Sequence, residues 1–287
     1  MIYLLLSITA STLIFIIFKL FNYYKIDTLQ AIVTNYIIAC IYGLLSCDAS
    51  IQLTEIANAK WFYGAFALGF LFIFVFNIMA LTAQRNGLSV ASVASKMSVI
   101  IPIIFGIYVY NESVGTQKIL GILLALIAVY LASVKSKTKI NFKKNLRFPL
   151  LLFIGAGTID TSIKYLETTY VAENGVPLFS ATIFAFAGII GLSILIFKIA
   201  KRDFRFESKN IYGGIILGIV NYYSIIFLLK ALNFEGAESS SIFTVNNVAI
   251  VMLSCLLGLF FFKERITKKN WLGIGLAIVS IFLVTLA

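Results

Sequence analysis

Tyr110–Ser133 reads YNESVGTQKILGILLALIAVYLAS, and Phe262–Thr285 reads FKERITKKNWLGIGLAIVSIFLVT. Laid over each other without a gap, the two segments share seven of 24 positions: Glu112/Glu264, Leu120/Leu272, Gly121/Gly273, Ile122/Ile274, Leu124/Leu276, Ala125/Ala277 and Leu131/Leu283. Apolar composition alone produces some of these matches. A Glu followed nine residues later by a Gly, at the same place in both copies, requires more than composition. Upstream, Tyr63-Gly64 and Gly69 match Tyr212-Gly213 and Gly218 at an offset three residues smaller, so one short insertion separates the matches. The chain is an internal duplication, and the segments above are the ends of its two units.

What the units are made of follows from composition. Hydrophobic residues fill 61% of the 287 positions and charged residues 12%, against roughly 45–50% and about 25% in soluble domains. Surplus apolar surface of this extent belongs in lipid. One crossing takes about 20 apolar residues, because roughly 30 Å of hydrocarbon is traversed at about 1.5 Å per residue. Apolar runs bounded by polar or turn residues place spans near 3–22, 28–47, 60–82, 88–110, 117–134, 148–166, 178–199, 210–232, 238–262 and 270–286. The first 22 residues read as a retained span, with no basic n-region or cleavage signal. The fold expected is an all-α polytopic membrane protein of ten transmembrane helices. Residues 1–134 form the first five-helix repeat, 135–147 (KSKTKINFKKNLR) a basic cytoplasmic linker, and 148–287 the second repeat.

Because each unit has an odd number of spans, its copy enters the membrane from the opposite side, and the repeat is inverted. Loop charges assign the sides, since short cytoplasmic loops retain Lys and Arg. Only Lys60 and Lys118 fall on the side of the first residue, whereas 18 basic residues fall on the other. Both termini are therefore expected outside and the 135–147 loop in the cytoplasm. The formal charge of +11 is topological and does not point to nucleic acid.

These residues resemble the EamA-type, ten-helix members of the drug/metabolite transporter superfamily, along the whole chain. The carriers of the resemblance are YNESVGTQKILG and FKERITKKNWLG, and ASVASKMSVIIPIIFG, which is similar to the family's fourth helix and includes Pro102. The second copy departs from the pattern with Ser254 where Pro102 aligns. The resemblance implies a transporter whose fourth and ninth helices line a cavity, and it implies cytoplasmic termini, which the loop charges of this chain oppose.

Charged groups in hydrocarbon cost at least about 2.5–3.5 kcal/mol each and so mark partners, cavities or function. Lys96 sits about 12 Å into the fourth span, too deep to snorkel. It reads either as one half of an ion pair with Asp160 or as a cavity residue for a substrate carboxylate or phosphate, and the readings are compatible if the pair opens during transport. Asp160, the only acid inside a span, is followed by Lys164 four residues on, the spacing of a same-face pair. These two are either a structural ion pair or a coupling site. Lys230 lies near a span end and reads as an interfacial anchor. Among neutral groups, Asn221, Tyr222, Asn246 and Asn247 join Lys96 as expected substrate-binding residues, whereas Asn35 and Asn77 are expected to bond neighbouring helices. Gly155, Gly157, Gly214 and Gly218 are expected to let helices pack closely. Glu112 and Glu264 are expected in water at loop edges, charge-complementing the helix that follows each. Tyr110 and Trp271 fit interfacial positions.

The chain has no histidine, no P-loop and three scattered cysteines, Cys40, Cys47 and Cys255. No catalytic residue, metal or cofactor is expected. A membrane enzyme acting on lipids would need His, clustered carboxylates or an exposed nucleophile, and none is visible. The expected function is a secondary transporter in the plasma (bacterial inner) membrane, moving a small polar metabolite, amino-acid-like or anionic, by alternating access and outward. A lipid or lipid-linked sugar translocator of the same fold is the alternative. Expected partners are the small-molecule substrate and membrane lipids, with a homodimer as the assembly to test.

Overall fold

The computed structural model describes residues 2–46, 53–109, 115–133, 142–172, 175–202, 205–232 and 239–285, all helical apart from short connections. Tyr110, Glu112, Cys47 and residues 135–141 of the linker lie outside them. The helices are α1 (Ile2–Tyr23), α2 (Thr28–Leu45), a short α3 (Leu53–Asn58), α4 (Phe62–Arg85), α5 (Leu88–Met97), α6 (Ile100–Val109), α7 (Thr116–Ser133), α8 (Phe142–Tyr170), α9 (Val176–Ala200), α10 (Ser208–Leu232), α11 (Ser239–Phe260) and α12 (Lys268–Thr285). Seven stretches, including Leu88–Gly106 across α5 and α6, are long and apolar enough to cross a membrane, and Ile119–Ala132 and Val245–Phe260 are shorter apolar cores. Taken with α12, these segments are consistent with the ten expected spans.

Three boundaries differ from the sequence expectation. The connection before α4 carries the extra short helix α3. Helix α8 begins at Phe142, inside the expected linker, because Lys, Asn, Leu and Arg of FKKNLR extend a helix beyond the bilayer at little cost. The third difference is the fourth span, which is two helices. Pro102 has no N–H to offer the Ser98 carbonyl, and its ring crowds that carbonyl. The chain turns at Ser98–Val99, and the freed carbonyl accepts the Ile101 N–H at 2.9 Å. At the aligned position of the second copy, Ser254 lets α11 run unbroken from Ser239 to Phe260.

Helix contacts carry the duplication into three dimensions. Helices α1 and α2 pack on α10, and their repeat counterparts α8 and α9 pack on α4. The contacts α2 with α9, α5 with α11 and α7 with α12 each join a helix to its own counterpart. Exchanging the halves maps these contacts onto themselves, the pattern an inverted duplication produces. Glycines make the approaches possible: a Cβ on Gly214 or Gly218 would meet the Ala31 or Asn35 carbonyl oxygen at 2.5 or 3.1 Å, one on Gly155 would strike Val75, and one on Gly157 would strike Ile101. The core centres on Tyr36, whose ring packs among Phe72, Phe76 and Phe184 and whose hydroxyl donates to the Phe72 carbonyl at 2.7 Å.

Candidate functional site

Counting from Leu88, the α5–α6 break lies about 15 Å into the bilayer, near its midplane. Lys96 is two residues before it. Asp160, about 18 Å from Phe148 along α8, reaches a similar depth on a helix that packs against both α5 and α6. Asp160 is exposed in mid-helix and Lys96 half-buried. Each charge acts on the other, yet among the described residues no ion pair within 4 Å joins them. The break leaves neither carbonyl open, because Ser98 and Val99 accept the Ile101 and Ile103 N–H groups at 2.9 and 3.3 Å. The charge acting on Asp160 is that of Lys96. Lys164 is exposed one turn further along α8.

The asparagines are placed differently. Ser7 donates from Oγ to Asn246 Oδ1 and to the Ser224 carbonyl, both at 3.2 Å. Ser224 Oγ donates to the Asn221 carbonyl at 2.7 Å, and Asn221 Nδ2 donates to Asn35 Oδ1 at 3.3 Å. Asn246, Asn221 and Asn35 are 1%, 5% and 0% exposed. Asn221 and Asn246 therefore lie in a polar seam joining α1, α2, α10 and α11, where they bond neighbouring helices and are buried away from open space. Tyr222, mid-way along α10, reaches the C-terminal end of α2, where its ring lies 4.9 Å from that of Tyr42 and its hydroxyl 2.5 Å from Ser46 Oγ. Asn247 is half-buried on α11.

At the basic ends of the helices, Glu264 does something its sequence position did not suggest. Its side chain is 13% exposed, pairs with Lys19 at 3.3 Å, and accepts the Leu88 N–H at 2.8 Å. It therefore caps α5 of the first half, 176 residues away, and not the helix that follows it. That helix, α12, is capped by Thr267, whose N–H and hydroxyl donate to Asn270 Oδ1 and whose Oγ1 accepts the Asn270 N–H. Glu264 fits because two glycines make room: a Cβ on Gly87, which holds φ +111°, or on Gly258 would stand 2.7 or 2.6 Å from Glu264 Oε2. Lys19 also donates to the Ala83 carbonyl at 3.1 Å, closing the last turn of α4. A cavity of about 630 Å³ opens beside this junction.

Residues 148–286 match the EamA-like transporter family. A probable glucose uptake protein, GlcU, of Priestia megaterium is 30% identical over 63% of this chain and 62% of its own length. A probable 4-amino-4-deoxy-L-arabinose-phosphoundecaprenol flippase subunit, ArnE, of Hamiltonella defensa is 40% identical over 67 residues, 21% of this chain and 58% of that protein. The chain belongs to the EamA-like transporter family. It is thus a multi-pass membrane transporter of the drug/metabolite transporter superfamily. An "Uncharacterized protein" of Haemophilus influenzae is 30% identical over 97% of this EamA-type chain and 96% of its own length. A crystal structure aligns over 99% of this chain and 97% of its own, with a TM-score of 0.56 at 14% identity, a likeness of fold alone.

Two features of this EamA-type chain were not read from its residues. Pro102 was the available signal for the break, and Gly87 directly before LSVASVASKM the signal for a helix start built to take an outside cap.

Proposed function

We propose that this EamA-type protein is a secondary carrier of a small zwitterionic metabolite, of the amino-acid kind, across the plasma (bacterial inner) membrane. The observation that carries the reading is the pair Lys96 and Asp160, opposite in charge, accessible, not in contact, and flanking a helix break near the midplane. A carboxylate seated at Lys96 and an ammonium at Asp160 would replace the charge interaction that the two residues now share. Alternating access of the two halves would then carry the solute past the break. Loop charge supports both termini outside and the 135–147 loop in the cytoplasm; export is the direction proposed.

Purified protein in liposomes, assayed together for uptake of labelled amino acids and for internal pH, tests this. Saturable amino-acid exchange that is lost in Lys96→Met supports it. The short match to a flippase subunit favours lipid-linked sugar translocation as a second reading. Flipping of a labelled polyprenyl-phosphate sugar without amino-acid exchange would replace the first reading by the second.

A further inference from the structure

Helix α5 is a ten-residue rod between two interruptions of the chain. At one end Gly87 holds φ +111°, backbone that only glycine adopts freely, and at the other the chain turns at Ser98–Val99. Leu88 stands at the first joint and Lys96 near the second, about 12 Å along the helix. Between them Ala91, Ser92, Val93 and Ala94 are at most 1% exposed, so this layer separates Lys96 from the basic end. What holds the rod at that end belongs to the other half. The Glu264 N–H returns to the Gly258 carbonyl at 2.9 Å, which anchors the residue to the end of α11 while its carboxylate grips the Leu88 N–H and Lys19. Beside this grip Ser89 of α5 packs against Cys255 and Gly258 of α11, and Cys255 is 2% exposed. The cavity of about 630 Å³, lined in part by Glu264, Ser89 and Val90, gives the carboxylate and the first turn of α5 space to move into.

We propose that Glu264 and Lys19 form the latch of a gate at the basic face, and that α5 is the part that moves. Released by Glu264, α5 pivots at Ser98–Val99 while Gly87 takes up the turn. Its first turn then parts from α11, and the layer at Ala91–Ala94 opens toward Lys96. A helix held between two joints moves as a unit, and hinge residues absorb the change in backbone angles. Lys96 rides on the same rod as Leu88, so the state of the solute site and the closure of this face bias each other. Glu264 is in this sense a positioning residue that acts through α5. The inference rests on the alternating access proposed above, and not on which solute is carried.

The test reads Cys255 in the full-length protein in nanodiscs. A charged, membrane-impermeant methanethiosulfonate is the probe, and peptide mass spectrometry follows Cys255 and Cys40 separately. Parting α5 from α11 uncovers Cys255, whereas Cys40 lies on α2, outside the junction. The parent should label slowly at Cys255. Glu264→Ala should raise that rate about five- to thirtyfold, the shift in equilibrium that a lost cap and a lost ion pair produce. Glu264→Gln keeps an acceptor for the Leu88 N–H and should raise it less. Lys19→Met leaves the cap in place, should also speed labelling, and provides the reading if Glu264→Ala does not fold. Labelling of Cys40 should be unchanged in all three, because a carboxylate that only stabilised the fold would change both thiols together. Equal Cys255 rates in parent and variants overturn the proposal, as do parallel increases at both cysteines. The measurement needs no solute. A selective rise at Cys255 without amino-acid exchange in liposomes would keep the gate and remove the solute, and exchange without that rise would remove the gate alone.

Discussion

Glu264 Oε1 stands 3.3 Å from Lys19 Nζ and accepts the Leu88 N–H at 2.8 Å, so one carboxylate from the last loop of the second half ties together the end of α1 and the start of α5. Glu264→Ala removes a helix cap, which costs about 1 kcal/mol, and leaves Lys19 without its counter-ion in a mostly buried setting. A total near 2 kcal/mol follows. Unfolding in mixed micelles should show that loss, with Glu264→Gln losing about half as much. An Ala variant as stable as the parent would deny the cap its role.

Lys96 and Asp160 are predicted to matter for transport more than for folding. Lys96→Met and Asp160→Asn should each lower uptake in liposomes at least tenfold while shifting the unfolding midpoint little, since no direct ion pair is broken. The double variant should remain inactive. Recovery of transport in the double variant would mean that the two charges serve only to neutralise each other.

The asparagine seam is predicted to behave in the opposite way. Asn221→Ala removes the hydrogen bond to Asn35, and interhelical hydrogen bonds in membranes are worth about 0.6 kcal/mol on average and up to about 1.7. Stability should fall within that range, and the apparent affinity for substrate, read from initial uptake rates, should stay within twofold of the parent. A large change in affinity would return Asn221 to the substrate site.

Gly273 and Gly275 make a matched pair on one helix. A Cβ at Gly273 would lie 2.6 Å from the Ala132 nitrogen and 2.9 Å from the Ala128 carbonyl oxygen, against the α7 backbone, whereas at Gly275 nothing lies within 4 Å. Gly273→Ala should therefore force α7 and α12 apart and cost about 1–3 kcal/mol. Gly275→Ala should be neutral or gain up to about 1 kcal/mol from helix propensity. Midpoints measured side by side decide this, and equal effects would contradict the packing described.

Much of the fold was legible because a membrane span announces itself by length and apolarity, and because a duplicated chain gives each assignment a second instance. The helix break was less legible: Pro102 is visible, but a proline in a span kinks, breaks or is absorbed depending on how its neighbours satisfy the freed carbonyl. The partner of Glu264 was not legible at all, since capping usually acts within a few residues and this one spans the two halves. Asn221 and Asn246 were read toward the cavity because a buried amide needs a partner. Sequence does not distinguish a partner on the next helix from one in solution, and Ser7 and Asn35 turned out to be those partners. Lys96 and Asp160 were legible because charge is costly enough in lipid to be informative at single residues.

Pro102 and Ser254 occupy equivalent places in the two copies, and only the first interrupts its helix. To test the difference, Pro102→Ala should give the Ser98 carbonyl back its N–H donor at position 102, raise the unfolding midpoint and slow transport, whereas Ser254→Pro should cost about 3 kcal/mol. A carrier assembled from two identical arms would have the same stiffness on either side of its solute. This one pairs an arm with an elbow against an arm without, so opening toward one face bends a joint and opening toward the other swings a rod. Under the proposed alternating access, the barriers for the two half-cycles would then differ by construction, although the two arms are copies of one unit.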